Sequence, residues 1–128
     1  MGAHDWTGPW QDVVPGKPAL ARDWAQAVTP FGPVGTVRPE VELHLRPHLE
    51  ILHDALLAEP PDGPAAERVG AALVARGLTD PEALAATVAV LGDRLLTELG
   101  LDQVTFAYPL HSLLGSLAAG YARALAAH

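Results

Sequence analysis

Apolar residues along this chain recur at helical spacing, and short breaks rich in proline and glycine separate the periodic stretches. A repeat of three to four residues places the apolar side chains on one face of an α-helix. Five stretches have this period: residues 18–28, 38–58, 64–76, 81–99 and about 109–127. No stretch alternates convincingly as a strand does, so the pattern predicts an all-α protein. The four longer helices and their short links predict an antiparallel four-helix bundle, to which residues 18–28 add a short N-terminal helix.

Each predicted helix has one apolar stripe that should face the core. Pro47 interrupts the second helix and predicts a kink or a division near Arg46. Glycines inside the helices predict either close helix packing or room for a ligand between helices; they are Gly70, Gly92, Gly115 and Gly120. The stripes consist of Leu20, Trp24, Val28; Val41, Leu45, Leu49, Leu52, Leu56; Val69, Leu73; Leu84, Val88, Leu91, Leu95, Leu99; Leu110, Leu114, Leu117, Tyr121 and Leu125.

The clearest predicted turn joins the third and fourth helices. Gly77 suits a helix C-terminus because glycine tolerates a positive φ. Thr79 and Asp80 can each accept hydrogen bonds from the first N–H groups of the next helix. Pro81 fits the first helical position, and Glu82 predicts a capping box with Thr79. The turn is therefore predicted to be structural, with no chemistry of its own.

Composition restricts the protein to a few classes. The 128 residues suit one domain, which we divide into an irregular arm at residues 1–17 and a helical-bundle domain at residues 18–128. The net charge is −7 and Lys17 is the only lysine, so we expect binding neither to nucleic acid nor to anionic membranes. The chain has no run of about 18 apolar residues and no basic start of a secretory signal. Together with the absence of cysteine, these features predict a cytoplasmic protein.

One histidine pair is the main candidate for chemistry. His44 and His48 lie one helical turn apart beside the apolar stripe, a spacing that can bind a metal ion. His111 is the available third histidine, so these three residues form a candidate metal or haem site. The sequence HLRPH differs from the zinc motif HExxH, and Pro47 lies between the two histidines. The alternative is a pair of partly buried histidines whose nitrogens are satisfied by hydrogen bonds.

No enzyme motif accompanies this pair. The chain contains neither the nucleophile motif G-x-S-x-G, nor a phosphate-binding loop, nor G-x-G-x-x-G. We therefore expect a protein that is not an enzyme, and we predict no cofactor beyond the candidate metal or haem. Three aromatic residues are candidates for interaction with a partner: Trp6 and Trp10 in the arm, and Tyr121 in the last helix.

A family resemblance rests on three segments: RPEVELHLRPHLEILHDALLAEPPD, RVGAALVARGLTDPEALAATVAVLGDRLL and SLAAGYARAL. Together they resemble the N-terminal helical domain that precedes PAS, GGDEF and EAL domains in actinobacterial cyclic-di-GMP signalling proteins, which are diguanylate cyclases and phosphodiesterases. More distantly they are similar to the helical sensor domains of stressosome-type regulators. The resemblance covers residues 23–125. It implies that residues 116–125 continue as a linker towards output domains, although the chain itself has no GGDEF or EAL motif.

These observations lead to three hypotheses about function. The first is a non-catalytic sensory or regulatory input domain for signal transduction, acting as a homodimer or on an output domain in cis. The second is a metal- or haem-binding helical bundle that uses His44 and His48. The third is a stand-alone interaction module whose arm binds a partner. The last helix lacks a stop signal, which fits either a truncated longer helix or ordinary fraying at a terminus.

Overall fold

The computed structural model describes residues 16–128, and these residues form five α-helices and no strand. The predicted all-α class is thus confirmed for this part of the chain. None of the described helices is long and apolar enough to cross a membrane. Trp6 and Trp10 lie outside the described residues. The helices are α1 Gly16–Val28, α2 Arg38–Leu57, α3 Gly63–Ala75, α4 Pro81–Leu99 and α5 Gln103–Ala127, with a 3-10 turn at Thr29–Phe31.

Aspartate side chains cap three of the helices. The Asp62 carboxylate accepts a hydrogen bond from the N–H of Ala65 at 3.1 Å and begins α3. The Asp80 carboxylate accepts from the N–H of Glu82 at 2.9 Å and begins α4. The predicted capping box of Thr79 with Glu82 was wrong, because Asp80 occupies the N-cap position. Such caps satisfy N–H groups that have no partner within the helix.

The start of α5 and the course of α2 differ from the predictions, in both cases at a proline. The helix α5 begins six residues before Pro109, because Asp102 caps it by accepting from the N–H of Thr105 at 2.7 Å. Of the kink or division predicted near Arg46, the division was wrong, since α2 continues through Pro47. Proline removes one hydrogen bond from the helix. The carbonyl left without a partner belongs to Leu43 in α2, and the Leu43 side chain is exposed, so water can reach this side of the helix.

The core contains most of the stripe positions predicted from the sequence, together with residues outside those stripes such as Leu96 and Leu113. All predicted positions of α1 and α2 are buried, as are Val69 and Leu73 of α3. In α4 and α5 the stripes are buried in part, while Leu84, Leu114 and Leu125 pack against the core from its edge. The indole N–H of Trp24 donates to the Thr87 hydroxyl at 3.0 Å, and both side chains are completely buried. This bond fixes α1 against α4.

The closest helix packing joins α3 to α5 through two glycines. A Cβ built on Gly120 would lie 2.6 Å from the Cα of Glu67, and one built on Gly70 would lie 2.7 Å from the backbone nitrogen of Tyr121. Close packing is therefore confirmed as the role of Gly70 and Gly120. It does not explain Gly115, where a Cβ would meet nothing within 4 Å. An ion pair between Arg123 and Glu67 at 2.6 Å lies beside the same crossing.

The order of packing places α1 inside the group of helices rather than beside it. Helix α1 packs on both α2 and α4, while α3 packs on α5 and α2. Although one tight turn joins α3 to α4, these two helices are not among the closely packed pairs of the described chain. The α3–α4 turn instead packs against the loop before α2, where a Cβ on Gly77 would lie 2.8 Å from the Pro33 ring. This placement brings the turn to the end of α2 that carries the histidine pair.

Candidate functional site

The His44 and His48 rings contact each other on α2. Their centroids lie 5.7 Å apart and the ring planes are almost perpendicular, so the two rings meet edge to face. The spacing of four residues produces this contact, because residues i and i+4 lie on one helix face. The structure thus brings together two of the three histidines predicted as a site.

The two ring nitrogens of His48 are the polar atoms of this site that most need explanation. Both are buried, and neither has a hydrogen-bond partner in the structure. A neutral imidazole has one N–H donor and one acceptor nitrogen, so both of its functions are unused here. A buried polar group without a partner costs about 1–3 kcal/mol. The alternative prediction, histidines satisfied by hydrogen bonds, thus finds no protein partner at His48 among the described residues.

Burial favours the neutral form of both rings. Burial lowers the pKa of His48 below its usual value, and the neighbouring His44 lowers it further. Burial also lowers the pKa of His44, and the positive charge of Arg76 acts in the same direction. Arg76 is the C-cap residue of α3, so this interaction connects α2 to the end of α3.

A small cavity lies between α2 and the α3–α4 turn. Its volume is about 120 Å³, and it is lined by Pro33, Thr36, Glu40, Val41, Arg76 and Leu78. Glu40 precedes His44 by one helical turn, so the cavity and the histidine pair occupy neighbouring positions along α2. The lining combines a carboxylate, a guanidinium and a hydroxyl with apolar walls. At this volume the cavity has room for a few water molecules or one very small polar molecule.

The α3–α4 turn is closed by backbone hydrogen bonds and is bonded directly to α5. Gly77 has a φ of 97°, which favours glycine, and the N–H groups of Gly77 and Leu78 bond to the carbonyls of Val74 and Leu73 at 2.9 and 3.0 Å. This pair of bonds is a Schellman motif. Two backbone carbonyls of the turn, those of Leu78 and Asp80, accept hydrogen bonds from the Tyr121 hydroxyl at 2.7 and 2.9 Å. One hydroxyl cannot donate fully to both, so the two acceptors share it.

Tyr121 was predicted to contact a partner, and the structure gives it an internal role instead. Its side chain is only 1% exposed. Burial raises the pKa of its hydroxyl, which supports a hydrogen-bond donor that stays protonated. The signal for this role was already in the sequence, because Tyr121 lies in line with Leu117 in the apolar stripe of α5.

The predicted metal site is not assembled as a set of three. His111 lies on α5 in a groove against α4, lined also by Leu96 and Ala107. The described residues contain no group of three histidine, aspartate or glutamate side chains that can hold a metal ion. His44 and His48 therefore remain a pair, without His111. Arg76 and Leu78 are site residues that the sequence did not reveal, since only the folded turn places them beside α2.

Comparisons with known proteins found no relative of this chain. No protein family model, no curated protein and no solved structure matches this chain.

Replacing His48 with leucine is expected to stabilise the protein by about 1 kcal/mol at pH 7.5. Leucine leaves no polar atom unpaired and keeps most of the packing, and removing such groups is neutral or favourable. Urea unfolding followed by circular dichroism measures the change. His44→Leu is the matched control and should gain less, because the His44 nitrogens are not among the buried atoms without a partner. A loss of more than about 1 kcal/mol in His48→Leu would show that the ring has a partner after all.

Stability should fall as the solution becomes acidic. The pKa values of His44, His48 and His53 are all lowered by burial in the folded protein. The unfolded chain therefore takes up protons more readily than the folded protein. The contribution of these histidines to the free energy of unfolding is complete above about pH 6.5, and it is lost as the pH falls through the folded pKa values. Urea unfolding at pH 7.5, 6.5 and 5.5 measures this slope. The slope should become smaller in His48→Leu; an unchanged slope would assign it to other groups.

Proposed function

We propose that this protein is a non-catalytic regulatory input domain for signal transduction in the cytoplasm. Its signal enters at the histidine pair and the adjoining cavity, and leaves as a displacement of α5. The observation that carries the proposal is the pair of buried His48 nitrogens without a partner. A stable fold seldom keeps two such atoms, and buried groups of this kind are concentrated at functional sites.

Two contacts and one electrostatic interaction support transmission from this site. The His48 ring contacts His44, whose pKa responds to Arg76 at the end of α3. Two residues later, the Leu78 carbonyl accepts the Tyr121 hydroxyl of α5. A ligand or proton that changes the position of Arg76 thus acts on a turn that is bonded to α5. Small displacements of packed helices are a common form of such switching.

The proposal includes the assembly in which the domain works. We infer that the five helices act as one antiparallel bundle in which α1 packs between α2 and α4, and that the output is a second copy or a domain in cis. The resemblance of residues 23–125 to the N-terminal helical domains of cyclic-di-GMP signalling proteins supports this assignment. The lack of catalytic motifs in the sequence fits an input role rather than an enzymatic one.

Amide chemical shifts of ¹⁵N-labelled protein test the proposal, with a pH step from 7.5 to 5.5 as the probe. Protonation of the histidine pair should shift the amides of α2 near His48 and also those of Leu78 and Asp80 in the turn. The matched control is His48→Leu, in which the shifts of the turn should become smaller. Shifts that stay within one helical turn of each histidine would contradict transmission.

A metal-binding protein is the second candidate, favoured by the 5.7 Å separation of the two rings. Imidazoles on one tetrahedral zinc ion have centroids roughly 5 Å apart, since each Zn–N bond is about 2.0–2.1 Å. A small rotation of His44 would bring the pair to this distance. The positive charge of Arg76 opposes a cation here. Calorimetric titration with zinc chloride decides between the candidates: one ion bound by the wild type and none by His44→Leu favours the metal.

A further inference from the structure

A groove between α4 and α5 is open along the surface, on a different part of the fold from the histidine pair. It has a volume of about 220 Å³ and contains no aspartate, glutamate, lysine or arginine. On α5 it continues into two exposed apolar side chains, Val104 at 88% and Tyr108 at 79% exposure. The lining residues are Gly92, Leu96, Gln103, Ala107, Leu110, His111 and Leu114.

We propose that the N-terminal segment of this chain, residues 1–15, binds in this groove and that Trp10 is the side chain that fills it. The segment has the composition that such a groove needs, because it contains two tryptophans, Trp6 and Trp10, followed by Val13 and Val14. A tryptophan buries about 150–250 Å² of surface when it is covered. Cavities of about 150 Å³ already hold a benzene ring, so 220 Å³ accommodates the larger indole.

The position of Gly16 makes this groove reachable. Helix α1 begins at Gly16, where a Cβ would lie 3.1 Å from the carbonyl carbon of Glu98 near the end of α4. Leu96, which lines the groove, precedes Glu98 by two residues but lies on the opposite side of α4. The segment must therefore pass around a helix about 10–12 Å in diameter. The six Cα–Cα steps from Gly16 to Trp10 span up to about 20 Å when extended, which is enough.

The length of the groove also fits the spacing of the two tryptophans. From Gln103 to Leu114 the axis of α5 rises about 16 Å. Trp6 and Trp10 are at most about 14 Å apart in an extended segment. When Trp10 fills the groove, Trp6 can therefore lie along the same face of α5, against Val104 or Tyr108. The occupant is thus part of the same chain, and its binding does not depend on the role proposed for His44 and His48.

Cysteine cross-linking tests this proposal in the full chain, which contains no natural cysteine. We would introduce Gln11→Cys together with Ala107→Cys in the groove, and oxidise dilute protein with oxidised glutathione. The matched control pairs Gln11→Cys with Arg68→Cys on the exposed surface of α3. We expect an intramolecular disulfide that forms at least about tenfold faster in the groove pair than in the control pair. Adding Trp10→Ser to the groove pair should remove most of this difference.

Two outcomes would overturn the proposal. Equal rates in the two pairs would mean that the segment has no preferred position, and disulfides formed mainly between two molecules would assign the groove to a second copy. Iodide quenching of tryptophan fluorescence provides an independent measurement, because Trp24 is buried and does not respond. Ala107→Glu, which introduces a charge into the groove, should increase quenching relative to the wild type. Unchanged quenching would also contradict the proposal.

Discussion

Replacing Gly120 with alanine is expected to lower the free energy of unfolding by about 3 kcal/mol, the upper part of the range for overpacked cores. The new methyl group would overlap the backbone of Glu67, and backbone cannot rotate away as a flexible side chain can. Helices α3 and α5 would have to separate to accept it. Urea unfolding measures the loss, and Gly70→Ala should behave similarly because its Cβ would meet the backbone of residues 117 and 121.

Gly115→Ala is the control for this prediction, since it makes the same change in the same helix. A Cβ at Gly115 would meet nothing within 4 Å, and alanine favours a helix over glycine by about 1 kcal/mol. This variant should therefore be at least as stable as the wild type. If Gly115→Ala and Gly120→Ala have equal stability, the close crossing of α3 and α5 does not exist.

Replacing Trp24 with alanine should cost about 3–5 kcal/mol, the range observed when large aromatic residues are removed from a core. The Trp24 side chain is completely buried, and it links α1 to α4 through its bond to Thr87. An alanine at this position leaves a large cavity and also removes the indole N–H that donates to Thr87. Thermal unfolding monitored at 222 nm measures the effect. A loss below about 1 kcal/mol would place Trp24 at the surface and contradict the position of α1.

A second pair of variants separates packing from hydrogen bonding. Thr87→Val keeps the volume but leaves the Trp24 N–H without a partner, which should cost about 1–3 kcal/mol. Trp24→Phe removes the hydrogen-bond donor. In the Trp24→Phe background, Thr87→Val should therefore lower the free energy of unfolding by less than it does in the wild type. Equal costs in both backgrounds would mean that the bond contributes nothing.

The sequence predicted the helices well because their signals are local. The boundaries of α4 were predicted to the residue, since Pro81 and Gly100 lie just at its ends. The start of α5 was missed because proline is common in the first turn of a helix, whereas Asp102 caps α5 seven residues before Pro109 and the helix continues through this proline. Local spacing also placed His44 beside His48 correctly.

Features that depend on packing between distant segments were harder to predict. The positive φ of Gly77 follows from its place at a helix end, but its contact with Pro33 depends on how the turn packs. The effect of the Arg76 charge on the His44 pKa, and the Tyr121 hydroxyl bonds to two carbonyls, involve residues that are more than 30 positions apart. Nothing in the periodicity of one helix contains that information, because periodicity identifies the buried face but not its neighbour.

The central claim is that the histidine pair on α2 is coupled to α5 through the α3–α4 turn, and a double-mutant cycle tests it most directly. The free energy of unfolding would be measured in urea at pH 7.5 for the wild type, His48→Leu, Tyr121→Phe and the double variant. Residues without shared partners add within about 0.3–0.5 kcal/mol. The account predicts a coupling energy above about 0.5 kcal/mol between His48 and Tyr121. Strict additivity would show that the site and α5 are independent, and would contradict the proposed transmission.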